Sequence, residues 1–412
     1  MFIRKFRVRN YMVHQDTTIE PSPLTVLVGP NGSGKSALFD AMLNFSMLAR
    51  GNLRQAFGPY PYSFHAKLYR GASAKVARLG FEVTMSKSAQ DNDTLVYTIN
   101  YAQMAVSENQ PSFTIFSETL TRMPGNTVLF DRSVPDEYPL SKDLRLENDR
   151  SLFSAVRLHA STGDGGSVDP LLEYLTQQIS RFNKFRIDPG VLAAPSRLPD
   201  LRSEVEPAPP PRLGHHGEGL ASVLYYLAET ESPALEPIRA KVRQIEPAFQ
   251  DFEFSSVGTD SIAFALRYSD PRQLVPSVNL SSGTLIYIGL IVLVATPNRP
   301  PVLMIEEPEN GLTPQAIKAF YQALRALAFS ERPDQRSQIL ISSHSPFVIC
   351  EAWNGEDREF IHQVKVTDGR AGIRTFSTVI SDQQIHLAKD AGGTRTHLSL
   401  KNAEEVMSGR FS

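Results

Sequence analysis

The stretch Gly29-Pro30-Asn31-Gly32-Ser33-Gly34-Lys35-Ser36 decides the fold class of this chain. It fits the phosphate-binding loop pattern G-x-x-x-x-G-K-[ST]. Its glycines let consecutive backbone N–H groups turn toward one anion, which a Cβ would obstruct. The apolar run Thr25 to Val28 before it predicts a buried strand, and Ala37 to Leu48 after it predicts a helix. The sequence therefore predicts an α/β P-loop fold with a nucleotide site between strand and helix.

Lys35 and Ser36 close this loop. In such a loop the lysine reaches the β- and γ-phosphates, and the hydroxyl binds Mg²⁺. We therefore expect residues Gly29 to Ala37 to bind ATP and Ser36 to be a ligand of Mg²⁺.

A second apolar run, Leu303 to Ile305, ends in the two carboxylates Glu306 and Glu307. A buried parallel strand delivers such residues at its carboxyl edge, where α/β proteins bind ligands. We expect Glu306 to hold Mg²⁺, directly or through water, and Glu307 to orient and polarise the attacking water. Taken alone, the pair also fits an acidic strand end before a turn at Pro308, and the phosphate loop in the same chain disfavours that interpretation.

Two further segments carry anion-binding chemistry. Leu280-Ser281-Ser282-Gly283-Thr284 opens the apolar segment Leu285 to Ala295, and small residues at a helix start expose N–H donors. Ile339-Leu340-Ile341-Ser342-Ser343-His344-Ser345-Pro346 is a strand pattern that ends in a histidine able to contact the γ-phosphate. Each alone fits an ordinary helix cap or a structural histidine. Their order along the chain favours a role at the nucleotide.

Together, the segments Leu-Ser-Ser-Gly-Thr, Ile-Glu-Glu-Pro-Glu-Asn-Gly-Leu and Ser-Ser-His-Ser-Pro resemble the RecF/SMC-like and OLD-like ABC ATPases. This branch includes many bacterial anti-phage defence ATPases. The resemblance implies an ABC-type head whose ATP-bound form dimerises head to tail. Each ATP would lie between Gly29–Ser36 of one copy and the signature turn Ser281–Gly283 of the other. It also implies that Glu307 is the catalytic glutamate, His344 the switch histidine and Asn310-Gly311-Leu312 the D-loop.

The chain departs from the family pattern at several positions, among them Met12 and Val13, where repair-type heads often have Arg and Ser. Glu306 stands where many ABC proteins have Asp, and Thr313 replaces a common His. The Q-loop glutamine stays open among Gln55, Gln103 and Gln110.

The rest of the chain predicts a lobe at residues 1–150, a helical insertion at 151–250, a second lobe at 251–375 and a tail at 376–412. Alternation predicts a strand at Phe2 to Tyr11, with Phe2, Phe6 and Val8 on its apolar face, and antiparallel strands near 75–85, 94–101, 112–119 and 127–131. Helical periodicity covers Pro170 to Lys184, Gly217 to Glu229 and Leu235 to Ile245. The Pro-rich stretch Pro195 to Pro211 predicts an exposed loop.

Composition excludes several classes of protein. The chain has 412 residues, 41% of them apolar, and a net charge of −2, which argues against non-specific binding to phosphate backbones. A single cysteine, Cys350, excludes an intrachain disulfide. The N-terminus has no long apolar run and Leu285 to Ala295 is too short to span a bilayer, so we expect a cytoplasmic protein without a membrane segment.

Three functions fit these observations. The first is an ATPase subunit, with slow turnover, that regulates a separately encoded nuclease or toxin in anti-phage defence, because fewer than 50 residues follow Gly372, too few for the nuclease domain of OLD proteins. The second is a DNA-binding repair ATPase, with Lys5, Arg7 and Arg9 lining a groove together with Arg54, Lys67 and Arg70. The third is a scaffold that ATP locks into an assembly.

Overall fold

The structure is a computed structural model that describes residues 1–58, 66–69, 78–104, 112–134, 144, 146–162, 168–199, 209–270, 273–297, 299–332, 335–354, 360–367, 370–375, 388–389 and 396–408. Its strands are β1 Phe2–Tyr11, β2 His14–Ile19, β3 Leu24–Val28, β4 Arg78–Ser86, β5 Thr94–Met104, β6 Ser112–Met123, β7 Thr127–Asp131, β8 Asn183–Phe185, β9 Ser196–Arg197, β10 Phe249–Val257, β11 Ser261–Tyr268, β12 Leu274–Pro276, β13 Val302–Glu306, β14 Gln338–Ser343, β15 Ile361–Thr367, β16 Arg370–Thr375, β17 Ala388–Lys389 and β18 Thr396–His397. Its helices are α1 Lys35–Leu48, α2 Leu53–Phe57, α3 Leu152–Thr162, α4 Pro170–Ile179, α5 Pro189–Ala193, α6 Leu220–Glu229, α7 Leu235–Ile245, α8 Ser282–Ala295, α9 Pro314–Ala328, α10 Pro346–Asn354 and α11 Leu400–Ser408.

An antiparallel sheet in the order β2-β1-β4-β5-β6-β7 occupies the N-terminal part of the chain. The strands predicted near 94–101, 112–119 and 127–131 are confirmed as β5, β6 and β7, and β4 begins at Arg78. One detail of the prediction for β1 was wrong. Ile3 is fully buried and Phe2 is not, because the register of β1 against β4 shifts between Ile3 and Lys5 and the bulge reverses the faces.

The central sheet has the order β16-β15-β3-β14-β13-β8. The strands from β15 to β8 are parallel to one another, and β16 is antiparallel to β15. All residues of β3, β13 and β14 are buried, which confirms that these apolar runs are interior strands.

The prediction of one helix from Pro170 to Lys184 was wrong at its C-terminal end. Asp169 caps the helix and Pro170 begins it, but α4 ends at Ile179 and the chain then forms β8 beside β13. Pairing with a strand more than a hundred residues further along decides the conformation of this segment. Residues 151–250 therefore contain β8 and β9 as well as helices α3 to α7.

A third sheet has the order β10-β11-β12, and β9 also pairs with β11. Helix α8, whose residues Thr284 to Val294 are all buried, packs against α5, α7 and α9. A helix that is apolar on every side belongs inside a large core. No helix in the described ranges combines the length and apolar character needed to cross a bilayer.

A second core lies between the antiparallel sheet and α1. The Phe45 ring of α1 packs edge-on against Phe6 at 5.9 Å, Phe81 at 5.8 Å and Phe153 at 6.1 Å between centroids. This cluster fixes α1, and with it the loop that precedes the helix, against the N-terminal sheet.

Candidate nucleotide-binding site

The loop Gly29–Gly34 joins β3 to α1 and requires glycine at defined positions. Gly29 has φ of 152°, and a Cβ there would lie 2.2 Å from the carbonyl oxygen of Val364 in β15. Gly34 has φ of 105° at the N-cap of α1, where a Cβ would lie 2.9 Å from a methyl carbon of Val13. Backbone conformation and close packing thus both exclude larger residues here. The loop is held between the β1–β2 turn and β15.

Lys35 is buried, with 6% of its surface exposed. Its Nζ donates hydrogen bonds to the carbonyl oxygens of Gly29 at 2.7 Å and Pro30 at 3.0 Å. Burial lowers the pKa of this amine, and the nearby carboxylates of Glu307 and Glu309 act in the opposite direction. The loop residues Pro30, Asn31, Gly32 and Ser36 are exposed, so their backbone and side-chain groups are accessible to a ligand.

His14 contacts the C-terminal end of the phosphate loop, and this contact was not predicted from the sequence. This fully buried ring has Nε2 at 3.0 Å from the carbonyl oxygen of Gly34 and Nδ1 at 3.0 Å from Thr17 Oγ1. Burial lowers its pKa. A histidine after a turn gives no signal of such a contact, because the contact depends on how β2 packs on the loop.

Three adjacent parallel strands bring the predicted groups to one edge. β14 lies between β3 and β13, with Ser343 opposite Val28 and Ser342 opposite Glu306. The phosphate loop follows β3, the two glutamates end β13, and His344 follows β14. The structure therefore brings together Gly29–Ala37, Glu306, Glu307 and His344, as their positions after apolar runs predicted.

Glu306 is 5% exposed, and its Oε1 lies 3.5 Å from Nζ of Lys184 in β8. A buried carboxylate requires a cation or hydrogen-bond donors nearby. Lys184 provides that charge from the adjacent strand. This role was not predictable, because the segment that contains Lys184 was expected to be a helix.

Glu307 leaves the strand in an unusual conformation, with φ of 47°. Its N–H donates to the carbonyl oxygen of Ser342 at 2.9 Å. Its Oε2 accepts a hydrogen bond from Asn310 Nδ2 at 3.0 Å and lies 3.8 Å from Arg186. Its Oε1 lies 3.6 Å from Nδ1 of His344. Left-handed backbone at a bulky non-glycine residue is strained and directs the side chain away from the strand.

Glu309 joins the ends of β13 and β14. This carboxylate is 8% exposed, and its Oε1 accepts hydrogen bonds from Ser343 Oγ at 2.6 Å and from the backbone N–H of His344 at 3.1 Å. The sequence signal that could have identified it is a third glutamate, directly after Pro308. Glu309 therefore positions the segment that carries His344.

Several buried polar atoms at this edge have no hydrogen-bond partner among the described residues. They are Ser33 Oγ, Ser342 Oγ, Glu309 Oε2 and His344 Nδ1. Buried polar atoms in folded proteins are normally bonded, and their concentration beside an exposed glycine loop indicates a site for a polar ligand. Hydroxyl and carboxylate oxygens are also the ligands that Mg²⁺ prefers, so the residues present fit a metal-bound nucleotide.

The signature turn is not part of this cluster. Ser281 and Ser282 are exposed, and Ser281 Oγ accepts from the backbone N–H of Thr284 at 3.1 Å, which confirms the helix cap. Gly283 lies against the D-loop, since a Cβ there would be 2.6 Å from the carbonyl oxygen of Gly311. Within the described part of the chain, no hydrogen bond joins this turn to the phosphate loop.

Of the three glutamines considered for the Q-loop, only Gln55 has a side chain among the described residues. Gln55 takes part in a capping box at the start of α2, where its Oε1 accepts from the Asn52 N–H at 3.0 Å. Gln110 lies outside the described residues, as does the side chain of Gln103.

The chain is similar to known proteins in sequence and in fold. Residues 24–350 match the protein family described as "AAA domain, putative AbiEii toxin, Type IV TA system". A crystal structure of an SMC head bound to the C-winged helix domain of ScpA aligns with 92% of this chain and 100% of that one, at a TM-score of 0.51 and 11% sequence identity.

Two curated relatives match over short segments. The DNA double-strand break repair Rad50 ATPase of Sulfolobus acidocaldarius is 40% identical over 53 residues, which are 13% of this chain and 6% of that protein. The manganese transport system ATP-binding protein MntA of Synechocystis sp. is 51% identical over 37 residues, 9% of this chain and 14% of that protein. The chain thus spans only a small part of either relative. By its family match the chain belongs to this AAA-domain family, and it has the ABC-type P-loop head fold of SMC proteins.

Proposed function

We propose that this chain hydrolyses ATP slowly in a site shared by two copies, and that the resulting closed dimer regulates a separately encoded effector. In this proposal residues 1–150 and 251–375 form the two lobes of the head, 151–250 the inserted segment and 376–412 the tail. The observation that carries the shared site is the separation of the signature turn from the phosphate loop of its own chain. Ser281 and Ser282 are exposed at the start of α8 and present N–H donors outward.

Each residue of the phosphate loop has a defined task in binding. The backbone N–H groups of Gly29–Ala37 would surround the phosphates, and Lys35 would exchange the carbonyl oxygens of Gly29 and Pro30 for phosphate oxygens. Ser36 and Glu306 would hold Mg²⁺, which supplies charge neutralisation on the β- and γ-phosphate oxygens. Lys184, now beside Glu306, compensates the same carboxylate when no metal is bound.

Hydrolysis depends on the orientation of Glu307. Asn310 and Arg186 contact Oε2 of Glu307. Its Oε1 is then on the side of His344, at the edge where the γ-phosphate would lie. In that position the carboxylate can orient a water molecule and accept its proton, and His344 can contact the phosphate. Closure by a second copy would complete this geometry, which makes closure the slow step.

The regulatory role has support of a different kind. The family description refers to a toxin and a toxin–antitoxin system, which fits conflict between bacteria and phages better than transport. We infer a nuclease or toxin as the partner, encoded apart from this chain.

The repair alternative depends on a free basic face, and the ion pairs of β1 weigh against it. Lys5 lies 2.9 Å and Arg9 2.8 Å from Glu82, and Arg7 lies 2.6 Å from Asp16. Lys67 pairs with Asp40, and Arg70 lies outside the described residues. Cations already paired with carboxylates contribute little to phosphate binding.

The size of the protein with ATP and Mg²⁺ tests the shared site. We expect Glu307→Gln to accumulate as a dimer in light scattering when ATP is present, because closure persists without hydrolysis. Lys35→Ala is the matched control and should not respond to ATP. A γ-phosphate enclosed by one copy alone in a liganded structure would contradict the proposal. Cleavage of nucleic acid by the purified chain, abolished in Glu307→Gln, would contradict the separate effector.

A further inference from the structure

A cavity of about 430 Å³ lies at the opposite edge of the central sheet from the phosphate loop. Its walls include Ser180, Arg181 and Phe182, which precede β8, and Thr296, Pro297, Arg299 and Pro300, which precede β13. Five arginines line it, and the described lining residues contain no carboxylate. They are Arg50, Arg157, Arg181, Arg212 and Arg299.

Two of these arginines hold the wall in place. Arg50 donates to the carbonyl oxygens of Ser180 and Phe182, both at 2.8 Å. Arg299 donates to the carbonyl oxygens at the C-terminal end of α8, Val294 at 3.0 Å and Thr296 at 2.7 Å. These bonds provide partners for backbone carbonyl groups that would otherwise lack them. The positive charge of Arg299 also interacts favourably with the negative end of the α8 dipole. The positions of these guanidinium groups are therefore fixed by the fold.

Two other arginines of the cavity, Arg157 and Arg212, have free donors. The guanidinium groups of Arg157 and Arg212 are exposed and form neither a hydrogen bond nor an ion pair with any described residue. Nε of Arg299 is buried and has no hydrogen-bond partner among the described residues. Donors left free around one cavity are suited to an acceptor from outside the chain.

Mutual repulsion acts on this cluster. Burial, followed by the charge of Arg157, lowers the pKa of Arg50, and burial followed by the charge of Arg212 lowers that of Arg181. Like charges held together without a counter-charge destabilise a fold. An anion in the cavity would remove that cost.

We propose that this cavity binds a phosphate-bearing ligand of nucleotide size. The planar guanidinium presents paired N–H donors that match two phosphate oxygens, which favours phosphate over a single carboxylate. Phe182, Leu213 and Leu293 provide apolar wall for the uncharged part of the ligand. The volume lies within the roughly 300–1,000 Å³ typical of small-molecule sites and is too small for a folded partner.

The cavity is distinct from the catalytic phosphate loop. Lys35 begins α1, and Arg50 follows the far end of this helix of 14 residues, roughly 21 Å away at 1.5 Å per residue. Asn183 lines the cavity, whereas the next residue, Lys184, reaches Glu306. This site goes beyond the proposed function and does not depend on it.

Calorimetric titration in a Lys35→Ala background tests the proposal, because that change disables the catalytic phosphate loop. The probes are inorganic pyrophosphate, ADP and a 5′-phosphorylated trinucleotide, with citrate as a non-phosphate anion. We expect saturable binding of pyrophosphate. Its dissociation constant should rise about tenfold or more in Arg157→Ala, and likewise in Arg212→Ala, because each substitution removes charge-assisted hydrogen bonds. Arg243→Ala, which removes an arginine paired with Glu236 outside the cavity, should leave the affinity unchanged.

The two phosphate sources give different results. Tighter binding of ADP than of the trinucleotide indicates a free nucleotide, and the reverse indicates the end of a nucleic-acid strand. Absence of pyrophosphate binding, an affinity insensitive to both arginine substitutions, or equal affinity for citrate would overturn the proposal. Arg157→Lys and Arg212→Lys keep the charge but lose the planar fork, and they answer the same question if the alanine variants do not fold.

Discussion

Removal of the Glu309 carboxylate should destabilise the chain, because this side chain ties together the ends of β13 and β14. One oxygen accepts both the Ser343 hydroxyl at 2.6 Å and the His344 N–H at 3.1 Å. A hydrogen bond to a charged group contributes about 1.5–3 kcal/mol, and a buried donor left unbonded costs about 1–3 kcal/mol. The other oxygen is buried without a partner, and the desolvation of this oxygen offsets part of the gain.

We therefore expect Glu309→Ala to lower the free energy of unfolding by about 2–4 kcal/mol. Glu309→Gln should lower it by about 1–2 kcal/mol, because the amide oxygen can still accept both donors but carries no charge. Urea unfolding followed by circular dichroism measures the order of the variants. Glu229→Ala, at an exposed position at the end of α6, is the control and should stay within about 0.5 kcal/mol of the unchanged protein. If Glu309→Ala unfolded at the same urea concentration as the control, the carboxylate would not hold the two strand ends.

Three further outcomes are expected. Gly29→Ala should abolish ATP binding in calorimetry, because its Cβ would lie 2.2 Å from the Val364 carbonyl oxygen, whereas Gly372→Ala has open space and should bind normally. Burial lowers the pKa of His14 below its ordinary 6.5, so the unfolded chain takes up a proton that the folded chain resists. The free energy of unfolding should thus fall as the pH drops from 7 to 5, and less steeply in His14→Gln; parallel slopes would refute this. Gly283→Ala, whose Cβ would lie 2.6 Å from the Gly311 carbonyl oxygen, should lower the ATP-dependent dimer fraction in light scattering, and an unchanged fraction would show that the turn adapts.

The parts of the site that were predictable are those encoded in contiguous residues. The phosphate loop, the carboxylates after β13 and the histidine after β14 each follow an apolar run whose length and composition predict a buried strand. Parallel pairing then brings them to one edge, as general rules for α/β sheets require.

The parts that were not predictable depend on partners far along the chain. β8 has three residues and is a strand only because it pairs with β13. Lys184 therefore reaches Glu306 across 122 positions, and His14 meets Gly34 through the packing of β2. Periodicity in a short window cannot report such contacts, and this is also why the end of α4 was misplaced.

The left-handed backbone of Glu307 implies a conflict between stability and activity. Conformations of this kind cost about 1–3 kcal/mol at a residue with a side chain, and glycine or asparagine would adopt φ of 47° with less strain. Either replacement would raise the free energy of unfolding and remove the carboxylate that we propose activates water. Thermostability screens of this protein should accordingly select substitutions at position 307 that inactivate it, so a gain in melting temperature is a misleading criterion when engineering this head.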